Sequence, residues 1–449
     1  MNGGRKSKGG GDARAILGAP LSAHHDTSSP AAAPERRVGY VELLRRNPTF
    51  RNLWLAEVVS LLGDWFTSIT LFAMLLEFTG KGEAVGLALV ARFLPTLVFG
   101  PMAGVAADRY SRRTILITCD LARCLIVLGF LLVRGPGDVW LAYALSFLQL
   151  TVSTFFEVAE SAAVGSAVTR EEIITANAIQ GITWSAMLAF GALLGGAVAS
   201  LVGRTAAFCI DSASYLLSAV FVAKAALPHA RRVREEVGSW AGTLGLRAAA
   251  EGVQYVLRTA RVRGVILIKA GWGVAGGGAL MLYSVFGERV FPLGDNAATG
   301  IGAIYASRGV GALLGPLVAR LAGDDREASL WRAISLSFFG MVIAYLGFAY
   351  APVLGLAALF LCLAHMGVST CWVFSTALLN LRVPDELKGR AFAADNALCT
   401  VAMVVSILVT SYGLDHLGIS PRTLMAGLAV VLIVPAVGFR AMSAADRLR

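Results

Sequence analysis

Charge is scarce in this chain. Only 15% of its 449 residues are Asp, Glu, Lys or Arg, against roughly 25% in an ordinary soluble domain. From Ala333 to Leu381 there is none at all, a run of 49 residues. Crossing the hydrocarbon of a bilayer takes roughly 20 residues, so that run alone holds two spans with a turn near Ala351-Pro352. A mean hydropathy of +0.68 agrees, and a soluble globular domain is excluded. No Gly-x-x-x-x-Gly-Lys-[Ser/Thr] loop is present, which argues against ATP as the source of energy. None of the six cysteines (Cys119, Cys124, Cys209, Cys362, Cys371 and Cys399) forms a C-x-x-C pair. All lie in apolar segments, where thiols pack as small polarisable groups. No metal or disulfide framework is readable, and neither a metal nor a cofactor is expected.

What is present is a series of twelve apolar segments, at about 55–78, 84–107, 114–134, 138–160, 175–201, 205–226, 264–287, 298–320, 331–350, 353–379, 391–413 and 422–440. They predict an all-α membrane protein of twelve transmembrane helices. Before them, a Gly-, Ala-, Ser- and basic-rich stretch reads as a disordered cytosolic tail, assigned to 1–45. Its apolar run Ala15–Leu21 is too short for a signal-peptide core. An organellar transit peptide is the weaker alternative for this basic, acid-poor stretch.

The net charge of +10 would suggest a nucleic-acid partner in a soluble protein. Here its distribution gives another reading, and no nucleic acid is expected. With the N-terminus on the cytosolic side, alternate connections carry 30 of the 39 Lys and Arg residues. The opposite face carries five: Lys81, Arg134, Arg204, Arg289 and Arg422. Basic residues stay on the cytosolic side, so both termini are expected there, with an even number of spans.

The longest connection falls between segments 6 and 7 and divides the chain into bundles at 46–227 and 263–441, with a linker at 228–262 and a tail at 442–449. Within the linker, Leu246, Ala250, Val253 and Leu257 share one face of a helix, with Arg247, Glu251, Arg258 and Arg261 elsewhere. That pattern predicts an interfacial helix. The halves repeat. Gly100-Pro101-Met102 leading to Ala107-Asp108-Arg109 returns 215 residues later as Gly315-Pro316-Leu317 leading to Ala322-Gly323-Asp324. Ala176-Asn177-Ala178 returns at Asp395-Asn396-Ala397, an offset of 219. Two pseudo-symmetric six-helix bundles place a substrate site at the midplane between them.

The sharpest motif is Gly104-Val-Ala-Ala-Asp108-Arg109-Tyr-Ser111-Arg112-Arg113, between segments 2 and 3. Gly104 permits close helix contact, and Asp108 with Arg112 and Arg113 cross-braces the turn. The motif resembles the loop motif of the major facilitator superfamily, with Ser111 where the family has Gly. The resemblance runs from about residue 45 to 440. It is closest to the bacterial efflux branch of siderophore, macrolide and multidrug exporters, through Leu62-Gly63-Asp64, Arg92-Phe-Leu-Pro95, Asp120-Leu-Ala-Arg123, Ala176-Asn177, Asp211-Ser-Ala-Ser-Tyr215, Gly311-Ala-Leu-Leu-Gly315 and Val383-Pro-Asp-Glu-Leu-Lys-Gly-Arg390. It implies that Asp108 faces the start of segment 11 as a cytosolic latch, an anion at a helix N-terminus. One departure stands out. The branch reads Phe-Phe-x-Pro-Ala-Arg at the end of segment 4, and this chain reads Phe155-Phe156-Glu157-Val158-Ala159-Glu160, acidic where the branch is basic.

Each ionisable group inside a span costs roughly 2.5–3.5 kcal/mol on insertion scales and needs a reason. Asp64 lies about 15 Å along the first segment, near the middle of a hydrocarbon layer about 30 Å thick. It is the candidate proton-coupling acid, or else a packing carboxylate paired to an arginine. Arg92 and Arg308, near-equivalents in the two halves, are candidates for pairing with Asp64 or with an anionic substrate, or for structural ion pairs. Asp120 and Arg123, three apart on one helix, can satisfy each other. Asp211 reads as structural, Lys269 as shallow enough to snorkel, Asp395 as part of the latch, and Glu157 and Glu160 as lining an inner vestibule. His365 reads as packed. Gly271, Gly273, Gly276, Gly277 and Gly278 predict either a hinge or close packing of segment 7. Trp65, Phe66, Trp184, Trp272, Tyr283, Trp372 and Phe374 are candidates for an apolar cavity, Trp65 and Trp272 foremost. Together these predict a monomeric secondary transporter that is not an enzyme. The leading expectation is a proton-coupled efflux antiporter of amphipathic small molecules in the bacterial inner membrane, a drug, siderophore or natural product. Uptake, lipid movement, or a receptor or scaffold that moves nothing are the alternatives.

Overall fold

The computed structural model describes residues 38–227, 259–293, 297–321 and 326–445. Among them the chain is helical, without strands: α1 Tyr40–Arg46, α2 Pro48–Thr79, α3 Gly82–Arg109, α4 Arg112–Gly129, α5 Val139–Ala167, α6 Ile173–Leu201, α7 Arg204–Lys224, α8 Ala260–Val285, α9 Ala297–Leu321, α10 Glu327–Tyr350, α11 Leu354–Arg382, α12 Asp385–Asp415, α13 Pro421–Val431 and α14 Ile433–Ala445. Eleven spans are long and apolar enough to cross a membrane, with α13 and α14 together forming one. Counting α3 as a single bent span makes twelve. The expected linker helix at 246–262 and the repeat's Asp324 lie outside the described residues, except for the linker's last few positions.

Local chemistry accounts for the element boundaries. The Asn47 side chain caps α2 by accepting from the Phe50 N–H at 2.9 Å, and Pro48 fills the first helical position, where no N–H is needed. The Asn47 amide also donates to the Ala167 carbonyl at 2.7 Å, tying the start of α2 to the end of α5. The boundary assigned at residue 45 falls inside a helix. Tyr40–Arg46 forms a helix because Leu43 has an apolar site to enter, where it is fully buried. Pro101 lies inside α3, which bends by 41° between Thr96 and Val98. A proline has no N–H for the carbonyl four residues earlier, here at the bend. Pro435 likewise follows the break between α13 and α14.

Helices α2–α7 form one half and α8–α14 the other. Each helix that faces lipid presents large apolar side chains outward, such as Leu125, Trp140, Leu336, Ile343 and Val434. That surface is too apolar for water. The seam between the halves is made mainly by α6 against α9, with α3 against α12 and α8. Small residues allow the approach. Gly196 lies against the Ala298 carbonyl and Gly302, and Gly309 lies against the backbone of Ala189.

The glycines of α8 serve close packing in this structure. The helix is unbroken from Ala260 to Val285. Gly273 and Gly277 receive the backbone of Cys399 and Met403 on α12, and Gly278 receives Thr410. The irregular turn is a π-helical one at Phe286–Val290. The second repeat pair is not a structural equivalence. Ala176 sits in the first turn of α6, whereas Asp395 lies well inside α12, which starts at Asp385.

Candidate functional site

Three of the resemblance motifs converge on one cluster in the first half. Gly63 on α2 leaves room for Asp211 and Ser214 of α7, which a side chain at 63 would strike. One residue on, at the midpoint of α2, Asp64 accepts a hydrogen bond from the Tyr215 hydroxyl through Oδ1. That hydroxyl in turn accepts from Gln149 Nε2 at 2.9 Å. Arg123 of α4 forms an ion pair with Asp120, whose second oxygen accepts from Ser218 at 2.8 Å. The Arg123 guanidinium lies over the rings of Phe156 and Tyr215, at 4.0 and 4.4 Å. Asp120 and Arg123 thus satisfy each other, as their spacing predicts, and Arg123 also stands within electrostatic reach of Asp64. Asp211 is fully buried here.

A second layer of charge faces open space. Arg92 and Glu157 are both exposed and are electrostatic neighbours. Arg92 donates to Ser68 Oγ at 3.4 Å rather than to Asp64. Glu160 neighbours Glu57, Glu157, Asp120 and Arg123, and Glu57 faces Gln180. Glu57 escaped the sequence reading, although it sits seven residues, two helical turns, before Asp64 on α2 and so shares a face with it.

The second half holds a different arrangement. Arg308 on α9 donates Nε–H to His365 Nε2 at 3.2 Å, and His365 Nδ1 faces the Leu361 carbonyl at 3.3 Å. His365 is therefore buried with Nε2 as acceptor, packed as expected. Arg308 does not reach Asp64. It has no acidic partner among the described residues, and its neighbours are Tyr283, Tyr305, Tyr345 and, across the seam, Arg92. Tyr283 donates to Tyr345 at 3.1 Å. Tyr305 donates to the Leu280 carbonyl at 2.9 Å, and its ring meets Trp65 and Phe72 of the first half, each at 5.9 Å. The two repeat-related arginines are therefore electrostatic neighbours across the seam. Trp65 and Trp272 are buried in helix packing, Trp65 against Gly191 and Gly195, Trp272 edge-on to Trp372. Neither lies on an open surface.

Lys269 and Asp395 depart from expectation. Lys269 does not snorkel. It is 4% exposed and bonds Asp395 at 2.6 Å, beneath the Trp372 ring. Asp395 is paired inside the bundle and is not part of a latch. The reason is depth. Both lie some ten residues into their helices, roughly 15 Å from the helix starts, and a lone charge there would be left uncompensated.

The latch motif is half engaged. Arg112 donates to the Ala162 carbonyl at 2.9 Å and Arg113 to the Ala223 carbonyl, binding the ends of α5 and α7. Ser111, in place of the family's glycine, caps α4 through the Thr114 N–H. Asp108 and Arg109 are exposed and make no ion pair or hydrogen bond among the described residues. Gly104 and Gly389 have nothing within 4 Å of where a side chain would begin. The close helix contact expected at Gly104 is absent among the described residues.

The opposite face is closed. Asp415, the last residue of α12, accepts from the N–H groups of Gly82 and Glu83 at 3.2 and 2.6 Å. His416 lies 3.4 Å from Glu83, and Arg289 donates to the Gly80 carbonyl at 2.7 Å. Apart from Arg289, counted among the basic residues of this face, none of these residues stood out in the sequence, because their partners lie more than 200 residues away.

Comparison with known proteins matches this geometry to a family. The model of the Major Facilitator Superfamily matches residues 53–407. Macrolide efflux protein A of Streptococcus pyogenes is 24% identical over 399 residues, covering 86% of this chain and 94% of that protein. The putative bacilysin exporter of Bacillus subtilis is 21% identical over 392 residues, covering 86% and 92%. Among solved structures, the POT family transporter PepTSo shares the fold with a TM-score of 0.68 at 13% identity, covering 89% of this chain and 98% of that one. The nucleoside transporter NupG does so at 0.63 and 17%, covering 88% and 98%. With twelve apolar spans in two bundles, a polar seam between them and a family match over most of its length, this chain belongs to the Major Facilitator Superfamily of membrane transporters.

Proposed function

We propose that this transporter is a proton-coupled exporter of amphipathic small molecules, working by alternating access with both termini in the cytosol of a bacterial inner membrane. The observation that carries the reading is Asp64. It is a carboxylate at the middle of α2, hydrogen-bonded by Tyr215 and within reach of Arg123. Protonation of Asp64 releases Tyr215 and Arg123, and substrate binding competes for the same contacts. Each event then biases which face is open, because a ligand shifts a conformational equilibrium only through different affinities for its states. The bundles at 46–227 and 263–441 are the moving bodies of a single protomer.

Glu160 stands where the efflux branch has a basic residue, with Glu157 one turn before it, so the vestibule favours the cationic end of an amphipathic substrate. Arg92 and Arg308 hold its polar groups at the seam. The relatives named for macrolide and bacilysin export support the direction, and the absence of an ATP-binding loop leaves an ion gradient or the substrate's own gradient as drive, of which the proton gradient fits Asp64. The test is substrate-induced proton movement in proteoliposomes. Wild type is expected to move protons against substrate, and Asp64→Asn to bind substrate without doing so. A mutant that couples as well as wild type overturns the assignment.

A further inference from the structure

The structure assigns to Asp415 the role of a closing latch at the face opposite the Asp108 motif, a positioning residue for the transport cycle. It rests on membership of the transporter family and not on proton coupling or substrate.

Helices α3 and α12 run antiparallel across the membrane, and each ends in an aspartate: Asp108 next to last in α3, Asp415 last in α12. An acid at a helix C-terminus meets the negative end of its own helix dipole, which is unfavourable. A compensating partner is therefore needed. For Asp415 that partner is the N-terminus of α3, where the Gly82 and Glu83 N–H groups would otherwise lack an acceptor. A charged acceptor on two N–H donors is the stronger class of hydrogen bond. At the other ends of the same two helices, Asp108 is exposed and makes no hydrogen bond among the described residues. One pair of helices thus carries two latches of the same chemistry with the roles exchanged, one closed while the other is open. The closed contact joins the two halves, so it must break whenever this face opens. The Glu83–His416 contact and the bond from Arg289 to Gly80 lie beside it and open with it.

Spin labels read the two faces directly. Labels on Val202→Cys and Leu417→Cys, both exposed, report the closed face in a background with the six native cysteines replaced. Labels on Tyr110→Cys and Leu381→Cys, also exposed, report the other. In pulsed dipolar measurements Asp415→Asn is expected to raise the long-to-short population ratio at the Val202–Leu417 pair by about tenfold, the scale of one charged hydrogen bond. The ratio at Tyr110–Leu381 falls, and Asp415→Glu restores both. An unchanged distribution in folded Asp415→Asn overturns the assignment. Should that variant not fold, Glu83→Pro removes the 2.6 Å donor at a helix start that tolerates proline, and an unchanged distribution there overturns it equally. Shifted distances without substrate-driven proton movement leave the latch standing and overturn the export reading. Unchanged distances with intact proton movement do the reverse.

Discussion

The two halves of this transporter share a helix plan and differ in what they keep in the membrane. The first half concentrates acids. Glu57, Asp64, Asp120, Glu157, Glu160 and Asp211 gather around Arg92 and Arg123. Among its described residues, the second half holds the buried pair Lys269 with Asp395 and an arginine held by His365 among tyrosines. Charge in hydrocarbon is costly, so an asymmetry of this size between repeats is informative. On the proposed function it would divide the labour, with ion exchange in the first half and an aromatic wall in the second.

The comparison breaks most readily at the buried ion pairs. Arg123→Met leaves Asp120 buried and uncompensated and is expected to cost about 3–5 kcal/mol of stability, as is Lys269→Met against Asp395. Thermal unfolding in detergent measures both. The sharper step is the double replacement. Lys269→Met with Asp395→Leu is expected to recover most of the stability and keep transport. Asp120→Leu with Arg123→Met recovers stability without transport, if the first half is the ion-exchanging one. Tyr215→Phe removes the donor to Asp64, worth about 1.5–3 kcal/mol to a charged acceptor. Proton movement per substrate should fall while substrate binding persists, and His365→Gln in the other half should leave the ratio unchanged. Gly277→Ala presses a methyl group onto the Met403 backbone and is expected to cost about 1–3 kcal/mol, read as a lowered unfolding midpoint. Ser111→Ala is the mildest, about 1 kcal/mol for a lost cap, and Ser111→Gly only a few tenths.

Much of this architecture is legible in the sequence, and the reasons are local. A run of some 20 apolar residues reports a span by itself. Asp120 and Arg123 report their pairing by spacing. The unread features are those whose partners lie far along the chain. Nothing near Lys269 announces Asp395, 126 residues away, so its length suggested snorkelling. Nothing near Asp415 announces Gly82. Asp64 could be placed by depth, but Tyr215, which orients it, appeared only as the end of a motif on another helix. The bend in α3 is foreshadowed by Pro101, yet Pro316 sits in α9, which remains a single unbroken span.

That bend has a mechanical consequence. The twelve residues from Val98 to Arg109 form an arm about 18 Å long. Tilted by 41°, its tip lies about 13 Å from where a straight helix would carry it, wider than the roughly 10 Å helix diameter. One missing amide hydrogen in mid-membrane therefore acts as a fulcrum. Straightening the helix sweeps the Asp108 end through the width of a doorway, while its far end need hardly move.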